Sequence, residues 1–309
     1  MKKLFILLVL ISVGASAQEK TFSTQEVSVN EFLDGTLYTP NIPEKTNLVI
    51  LIAGSGPTNR NGNQVGMKNN SLRFLAQSLA ENGISVYSYD KRLFSLLKSG
   101  DFDESKLLFD DFITDASDVV SYFRKENQYN KIIIVGHSEG SLIGMVAAKA
   151  SKADGFVSIA GAGNPIDQVL EFQISQNAPF LLEQTKEVLQ ELKAGNMVEV
   201  KNAALLSLFR ESVQPYMISW LTYNPQDEIK KLNIPVMIIN GTADLQVTVS
   251  EAELLKKARP EAKYLIITDM NHVLKEVKDD TENQQSYTNP DLPVAAELIQ
   301  GISDFVNTL

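Results

Sequence analysis

Short, continuously apolar segments alternate along the chain with segments of helical periodicity. Apolar strands without polar alternation are typical of a parallel sheet with both faces covered by helices. An antiparallel hairpin is predicted before them at residues 27–29 and 31–38, with Asp34 and Gly35 as its turn. The predicted strands are residues 48–52, 84–89, 132–135, 155–160, 236–239 and 264–267. The predicted helices are residues 72–79, 112–123, 138–149 and 293–306.

Residues 164–231 interrupt this alternation with amphipathic helical patterns and no strand signal. A helical insertion between two strands of a parallel sheet is most simply a cap over the edge where the strands end, where ligands bind in such sheets. We therefore predict a core of residues 18–163 and 232–309 and a helical cap of residues 164–231. A peripheral helical pair that serves stability alone is the alternative. Two apolar faces are predicted, with Phe180, Leu181, Val188, Leu189 and Leu192 on one and Leu205, Leu206, Leu208 and Phe209 on the other.

The first 17 residues have the pattern of a cleavable signal peptide. Lys2 and Lys3 precede ten apolar residues, and Ala15-Ser16-Ala17 supplies small residues for cleavage. Ten helical residues extend only about 15 Å, half of a bilayer core, so no permanent membrane span is expected there. A buried N-terminal helix is the alternative. We expect export, to the periplasm or outside the cell.

Composition removes several classes of function. There are 28 Lys and Arg against 38 Asp and Glu, a net charge of −10, which disfavours nucleic acid as a partner. The absence of Cys excludes disulfides, thiolate metal sites and a Cys nucleophile. Only two His are present, and we expect neither a metal nor a cofactor.

The residues 136–140, Gly-His-Ser-Glu-Gly, match the G-x-S-x-G pattern between a predicted strand and a predicted helix. A Ser on a sharp strand-to-helix turn adopts strained backbone geometry, and flanking Gly residues allow the close approach that the turn requires. The helix N-terminus presents N–H groups where an oxyanion would develop. Ser138 is therefore the candidate nucleophile, with an ordinary tight turn as the alternative.

A Ser nucleophile requires a base, and the sequence leaves one candidate. His137 lies inside the turn and is expected to point away from Ser138, so His272, after the strand 264–267, remains. Asp244 follows the strand 236–239 and gives the order Ser, Asp, His along the chain. Asp227 and Asp269 are the competing carboxylates for orienting His272.

Three segments carry a resemblance to a known family: Gly-His-Ser-Glu-Gly at 136–140, Asn-Gly-Thr-Ala-Asp at 240–244 and Asn-His-Val-Leu-Lys at 271–275. In this order and spacing they resemble the α/β-hydrolase superfamily, and within it exported bacterial serine esterases and serine aminopeptidase-like (S33-type) hydrolases. The resemblance covers nearly the whole chain after the signal peptide and implies an α/β-hydrolase fold. It also implies an oxyanion hole formed by the N–H groups of Glu139 and of Ser55, with Gly56 as the alternative to Ser55. Asp90 and Arg92 are interpreted as a structural ion pair, and the Glu139 side chain as a solvated charge at the mouth of the site.

The sequence thus predicts a serine hydrolase that cleaves a small-molecule carboxylic ester through an acyl-enzyme on Ser138, with His272 as base and Asp244 as its partner. Hydrolysis of an amide, a peptide or a thioester by the same residues is one alternative. A non-catalytic binding protein that retains a relic triad is another. Partner proteins are not predicted.

Overall fold

The computed structural model describes residues 21–309, so the predicted signal peptide lies outside the described residues and stays a prediction. Within residues 21–309, no helix is long and apolar enough to cross a membrane. The strands are β1 (Phe22–Ser28), β2 (Asp34–Pro40), β3 (Leu48–Ile52), β4 (Ser85–Tyr89), β5 (Ile132–His137), β6 (Gly155–Ile159), β7 (Val236–Gly241) and β8 (Lys263–Ile267). The helices are α1 (Ser71–Glu81), α2 (Arg92–Ser99), α3 (Phe109–Glu126), α4 (Glu139–Ser151), α5 (Ile166–Asn177), α6 (Leu182–Lys193), α7 (Leu206–Phe209), α8 (Gln214–Trp220), α9 (Pro225–Lys230), α10 (Val249–Ala258), α11 (Asp280–Ser286) and α12 (Ala296–Asn307).

The eight strands form one sheet in the order β1-β2-β4-β3-β5-β6-β7-β8. The pairs β1–β2 and β2–β4 are antiparallel, and all the other neighbours are parallel. The predicted class, a mostly parallel sheet flanked by helices, is confirmed. Because the parallel strands end at one edge, the loops after β3, β5, β7 and β8 converge there.

The two faces of the sheet bury separate clusters of apolar side chains. In β3, Leu48, Ile50 and Ile52 face the cluster that includes α3 and α4, while Val49 and Leu51 face the cluster that includes α1 and α12. Burial on both faces explains why this strand is apolar at every position.

The predicted N-terminal hairpin forms, but its turn is not at Asp34 and Gly35. Both residues begin β2, opposite Ser28 and Val27, and residues 29–33 connect the strands. A Cβ atom at position 35 would lie 2.3 Å from the Tyr87 ring. The glycine therefore makes room for that side chain rather than for a turn.

Five helices, α5 to α9, occupy the segment between β6 and β7. The segment buries a cluster of its own, which includes Leu181, Leu189, Leu192, Leu205 and Phe209. Two residues predicted on these apolar faces are exposed instead, Phe180 by 81% and Leu206 by 40%. The division of the chain into a core and a cap at residues 164 and 231 stays a prediction.

Candidate active site

Ser138 lies on the turn between β5 and α4 with a strained backbone, φ 55° and ψ −122°. A Cβ atom at Gly136 would lie 2.1 Å from the carbonyl oxygen of Gly140, and one at Gly140 would lie 2.5 Å from that of Ile52. Neither position tolerates a side chain, so both glycines of the sequence pattern are required by close backbone approach. The turn presents the Ser138 side chain, which is partly exposed, at the edge where the parallel strands end.

His272 and Asp244 lie side by side at this edge. The His272 Nδ1 atom is 2.8 Å from Asp244 Oδ2, and the other carboxylate oxygen accepts hydrogen bonds from the N–H groups of Gln246 and Val247, each at 2.9 Å. Both the imidazole and the carboxylate are buried. A carboxylate bonded to Nδ1 favours the tautomer with the proton on Nδ1, which leaves Nε2 free to accept a proton.

Ser138 and His272 line the same small cavity, of about 80 Å³. The structure thus brings together the three residues that the sequence singled out. The competing carboxylates are elsewhere: Asp227 pairs with Lys230 in α9, and Asp269 is exposed.

His137 also lines this cavity, and it supports the loop that carries His272. Its Nε2 atom lies 2.8 Å from the backbone carbonyl oxygen of His272, and since a carbonyl only accepts, Nε2 carries the proton. Burial, with the neighbouring His272 as a smaller contribution, lowers the pKa of His137 to about 3. His137 is therefore neutral at ordinary pH and is a poor base.

Asn283 in α11 connects the loops that carry Asp244 and His272. Its amide nitrogen donates to the carbonyl of Ala243, and its oxygen accepts from Asn271. The Asn271 oxygen in turn accepts the N–H groups of Val273 and Lys275. Asn283 was not identified from the sequence, because the segment Asp280–Ser286 carries no apolar periodicity that would predict a helix.

The two predicted oxyanion donors lie close to Ser138. Ser55 and Glu139 both border an adjoining cavity that Ser138 also lines. Among the described residues, neither of their N–H groups donates a hydrogen bond to another protein group. Unsatisfied N–H groups beside a nucleophile are available for an oxyanion.

The Glu139 side chain is not the solvated charge that the sequence suggested. It is buried, with 6% of the residue exposed, and its carboxylate accepts from Lys91 Nζ at 2.7 Å and from the Tyr216 hydroxyl at 2.5 Å. Burial, and then Glu139 itself, raises the pKa of Tyr216 well above its usual range, so the phenol remains a donor. Both partners are distant in sequence, which is why the pattern around Ser138 could not reveal them.

The predicted ion pair between Asp90 and Arg92 is also wrong. Asp90 accepts from the backbone N–H of Arg60 at 2.7 Å and from its guanidinium at 2.9 Å. Arg92 instead begins α2 and pairs with Asp111 and Asp115 in α3. The chain changes from extended to helical at Lys91, the residue between them, and Asp90 and Arg92 pair with different segments of the chain.

The adjoining cavity has a volume of about 220 Å³ and lies between the sheet edge and the helices α5 to α9. Its walls are mostly apolar, and the polar lining residues are Ser55, Ser138, Glu139, Asn164, Gln173 and Gln246. The apolar lining residues are Leu142, Ala162, Ile166, Val169, Leu170, Leu208, Met217, Trp220, Pro225 and Val247. Within residues 21–309, no cluster of three or more His, Asp or Glu side chains could hold a metal ion.

The sheet order, the crossing helices and the Ser-bearing turn define the α/β-hydrolase fold. Residues 66–276 match the family described as serine aminopeptidase, S33, and the chain belongs to that family. The solved structures that it resembles include Est1E from Butyrivibrio proteoclasticus, with 16% sequence identity and a TM-score of 0.58 over 93% of this chain and 99% of that one. Another is dienelactone hydrolase from Anabaena variabilis, with 15% identity and a TM-score of 0.55 over 93% and 98%.

A relative by sequence is the esterase EstD of Thermotoga maritima, which is 28% identical over 269 residues. The alignment covers 82% of this chain and 61% of EstD. The chain thus spans about three fifths of the length of that relative.

Proposed function

We propose that the protein is a serine hydrolase that cleaves carboxylic esters. The observation that carries the proposal is the hydrogen bond of 2.8 Å between His272 and Asp244, at a cavity that His272 shares with the strained Ser138. The similarity to EstD, an esterase, supports the same conclusion.

In the proposed reaction, His272 Nε2 removes the proton of the Ser138 hydroxyl while Oγ attacks the ester carbonyl carbon. The N–H groups of Ser55 and Glu139 hold the oxygen of the tetrahedral intermediate. The intermediate collapses to an acyl-enzyme when His272 returns the proton to the leaving alkoxide. Water, deprotonated by His272, then releases the acid and restores Ser138. Asp244 keeps His272 in the required tautomer throughout.

Hydrolysis of esters is favoured over an aminopeptidase activity by the state of Glu139. An aminopeptidase binds the free ammonium group of its substrate, and a carboxylate is the natural acceptor for it. Among the described residues, Glu139 is the only Asp or Glu that lines either cavity beside Ser138. Lys91 and Tyr216 already occupy its oxygens, so the site offers no carboxylate for an ammonium group.

The two cavities suggest how an ester is placed. His272 must reach the leaving oxygen, and it lines the smaller cavity, of about 80 Å³, so we assign the alcohol to that side. Its lining includes the polar residues Thr58, Gln64 and Asn69. The acyl group then occupies the apolar cavity of about 220 Å³, which fits an uncharged aliphatic or aromatic acyl group.

The proposal is tested with a panel of acyl nitrophenyl esters, a matching thioester and aminoacyl anilides. We expect the purified protein to cleave the esters fastest and the anilides least, and Ser138→Ala to abolish turnover with an unchanged Tm. Ser151→Ala, at the C-terminal end of α4, is the matched control because the Ser151 hydroxyl bonds only to the Ala147 carbonyl. Esterase activity that survives in Ser138→Ala would refute the mechanism. Faster cleavage of anilides than of esters would favour the aminopeptidase alternative. If no substrate were turned over, a binding protein with a relic triad would be favoured.

A further inference from the structure

A buried lysine lies beneath the proposed oxyanion hole, at the end of β4. Lys91 is only 4% exposed. Its ammonium group lies 2.5 Å from the carbonyl oxygen of Gly54 and 2.7 Å from Glu139 Oε2, with the Gly56 carbonyl oxygen farther away at 3.4 Å. The ring of Phe112 covers it, with 5.4 Å from Nζ to the ring centroid. A cation is rarely buried this deeply unless it is paired and hydrogen-bonded.

The bond to Gly54 acts on the peptide group that carries one of the proposed oxyanion donors. The Gly54 carbonyl and the Ser55 N–H are the two ends of the same peptide unit, which is planar and, like every described peptide bond, not cis. In a trans peptide the N–H points opposite to the C=O. An ammonium group that holds the carbonyl on one side therefore holds the Ser55 N–H on the other. A charged donor on the carbonyl also polarises the peptide and strengthens its N–H as a donor.

The same ammonium group reaches the residue that carries the second donor. Glu139 begins α4, and its backbone N–H is the proposed partner of Ser55 in the oxyanion hole. Its carboxylate is fixed between Lys91 and the hydroxyl of Tyr216 in α8. One side chain thus connects the loop after β3 with the start of α4, at the point where their N–H groups must converge on one oxygen.

We propose that Lys91 is a positioning residue for the oxyanion hole, and this inference rests on the proposed function. Lys91 stabilises the transition state rather than the bound substrate, because the negative charge on the oxygen develops only as the reaction proceeds. Loss of Lys91 lowers kcat and leaves KM nearly unchanged. It weakens the binding of a trifluoromethyl ketone, whose adduct with Ser138 carries the same oxyanion, by a factor similar to the loss in kcat.

The test compares two variants that differ only at position 91. Lys91→Met alone would leave the buried Glu139 carboxylate without its cation, which is strongly destabilising. Glu139→Gln therefore serves as the reference, since the glutamine oxygen still accepts from Lys91, its NH₂ group can donate to the Tyr216 hydroxyl oxygen, and the backbone N–H is kept. Lys91→Met is then added to it. Relative to Glu139→Gln, we expect the double variant to lose about tenfold to a hundredfold in kcat, with KM within about twofold and weaker inhibitor binding.

The control removes the neighbouring ion pair instead. In Arg92→Met with Asp115→Asn, the lost pair lies between α2 and α3 and touches neither oxyanion donor, so kcat should stay within about twofold of the wild type. An unchanged kcat in a folded Lys91 variant would overturn the inference, and so would a loss of kcat with unchanged inhibitor affinity. Failure of the proposed function shows differently, as esterase activity in Ser138→Ala, and it would overturn this inference as well.

Discussion

The sheet edge and the helical segment between β6 and β7 both border Ser138, but they are built differently. At the sheet edge the side chains are polar, buried and joined by hydrogen bonds, as in the pair of His272 with Asp244. The helices α5 to α9 contribute mostly apolar side chains to the larger cavity. Phe172 in α5 and Phe180 between α5 and α6 are exposed. The bond between Tyr216 and Glu139 links the two regions.

This difference indicates a division of labour. A hydrogen-bonded network fixes atoms to within tenths of an ångström, which bond-making requires. An apolar wall discriminates between substrates by size and shape, and each methylene group counts for only about 1–3 kcal/mol. We therefore expect substitutions at the sheet edge to change the rate for every substrate, and substitutions in the helices to change the preference among substrates.

The largest effect is expected from Asp244→Asn. The asparagine oxygen can still accept from Gln246 and Val247, but its NH₂ group then faces His272 Nδ1 and favours the tautomer with the proton on Nε2. That imidazole cannot accept the Ser138 proton, so kcat should fall by about 10³–10⁴-fold. Steady-state kinetics with two esters of different chain length measure this.

The loss in Asp244→Asn should be equal for both esters, and the Tm should remain close to that of the wild type. A loss confined to one ester would break the proposed division between rate and preference.

A smaller effect concerns stability at acid pH. The pKa of His137 is lowered to about 3 by burial, whereas in the unfolded chain it is about 6.5. Between these pH values the unfolded state binds a proton that the folded state does not. His137 therefore has no effect on stability above about pH 6.5 and destabilises the folded state increasingly as the pH falls below that value. His137→Gln keeps an N–H donor for the His272 carbonyl but cannot titrate.

Urea unfolding of both proteins at pH 7 and pH 5 tests this. The wild type should lose about 2 kcal/mol more between these pH values than His137→Gln. Parallel losses in the two proteins would contradict the buried, neutral state of His137.

The smallest effect is expected in the helical segment. Leu208 in α7 lines the apolar cavity, and Leu208→Trp should fill part of it. The ratio of kcat/KM for an octanoyl ester to that for an acetyl ester should fall about tenfold, with little change for the acetyl ester itself.

Leu206→Trp, at an exposed position of the same helix, is the matched control and should leave the ratio unchanged. An equal effect of both substitutions would mean that the acyl group does not occupy this cavity.

The parts of the fold that the sequence predicted are those with a local cause. Strands buried on both faces, such as β3, are apolar throughout, and the Ser138 turn needs two glycines at fixed spacing. Asp244 and His272 could be identified because each follows a strand of the same parallel sheet.

The parts that the sequence did not predict depend on distant contacts. Glu139 is buried because Lys91 and Tyr216 neutralise and hold it, and Asp90 pairs with Arg60 thirty positions away. Gly35 belongs to a strand because the Tyr87 ring needs its space. The helices α2, α10 and α11 were not predicted at all, and α11 supplies Asn283, which supports the active-site loops.

The most direct test of the account is covalent labelling with a fluorophosphonate, followed by tryptic digestion and mass spectrometry. Trypsin releases residues 132–149 as one peptide, which contains Ser138 and one other serine, Ser141. Ser141 is buried and bonded to Ser158. The account predicts one adduct per chain, on Ser138, and none in Ser138→Ala. An unlabelled wild-type protein, or equal labelling of both proteins, would contradict it.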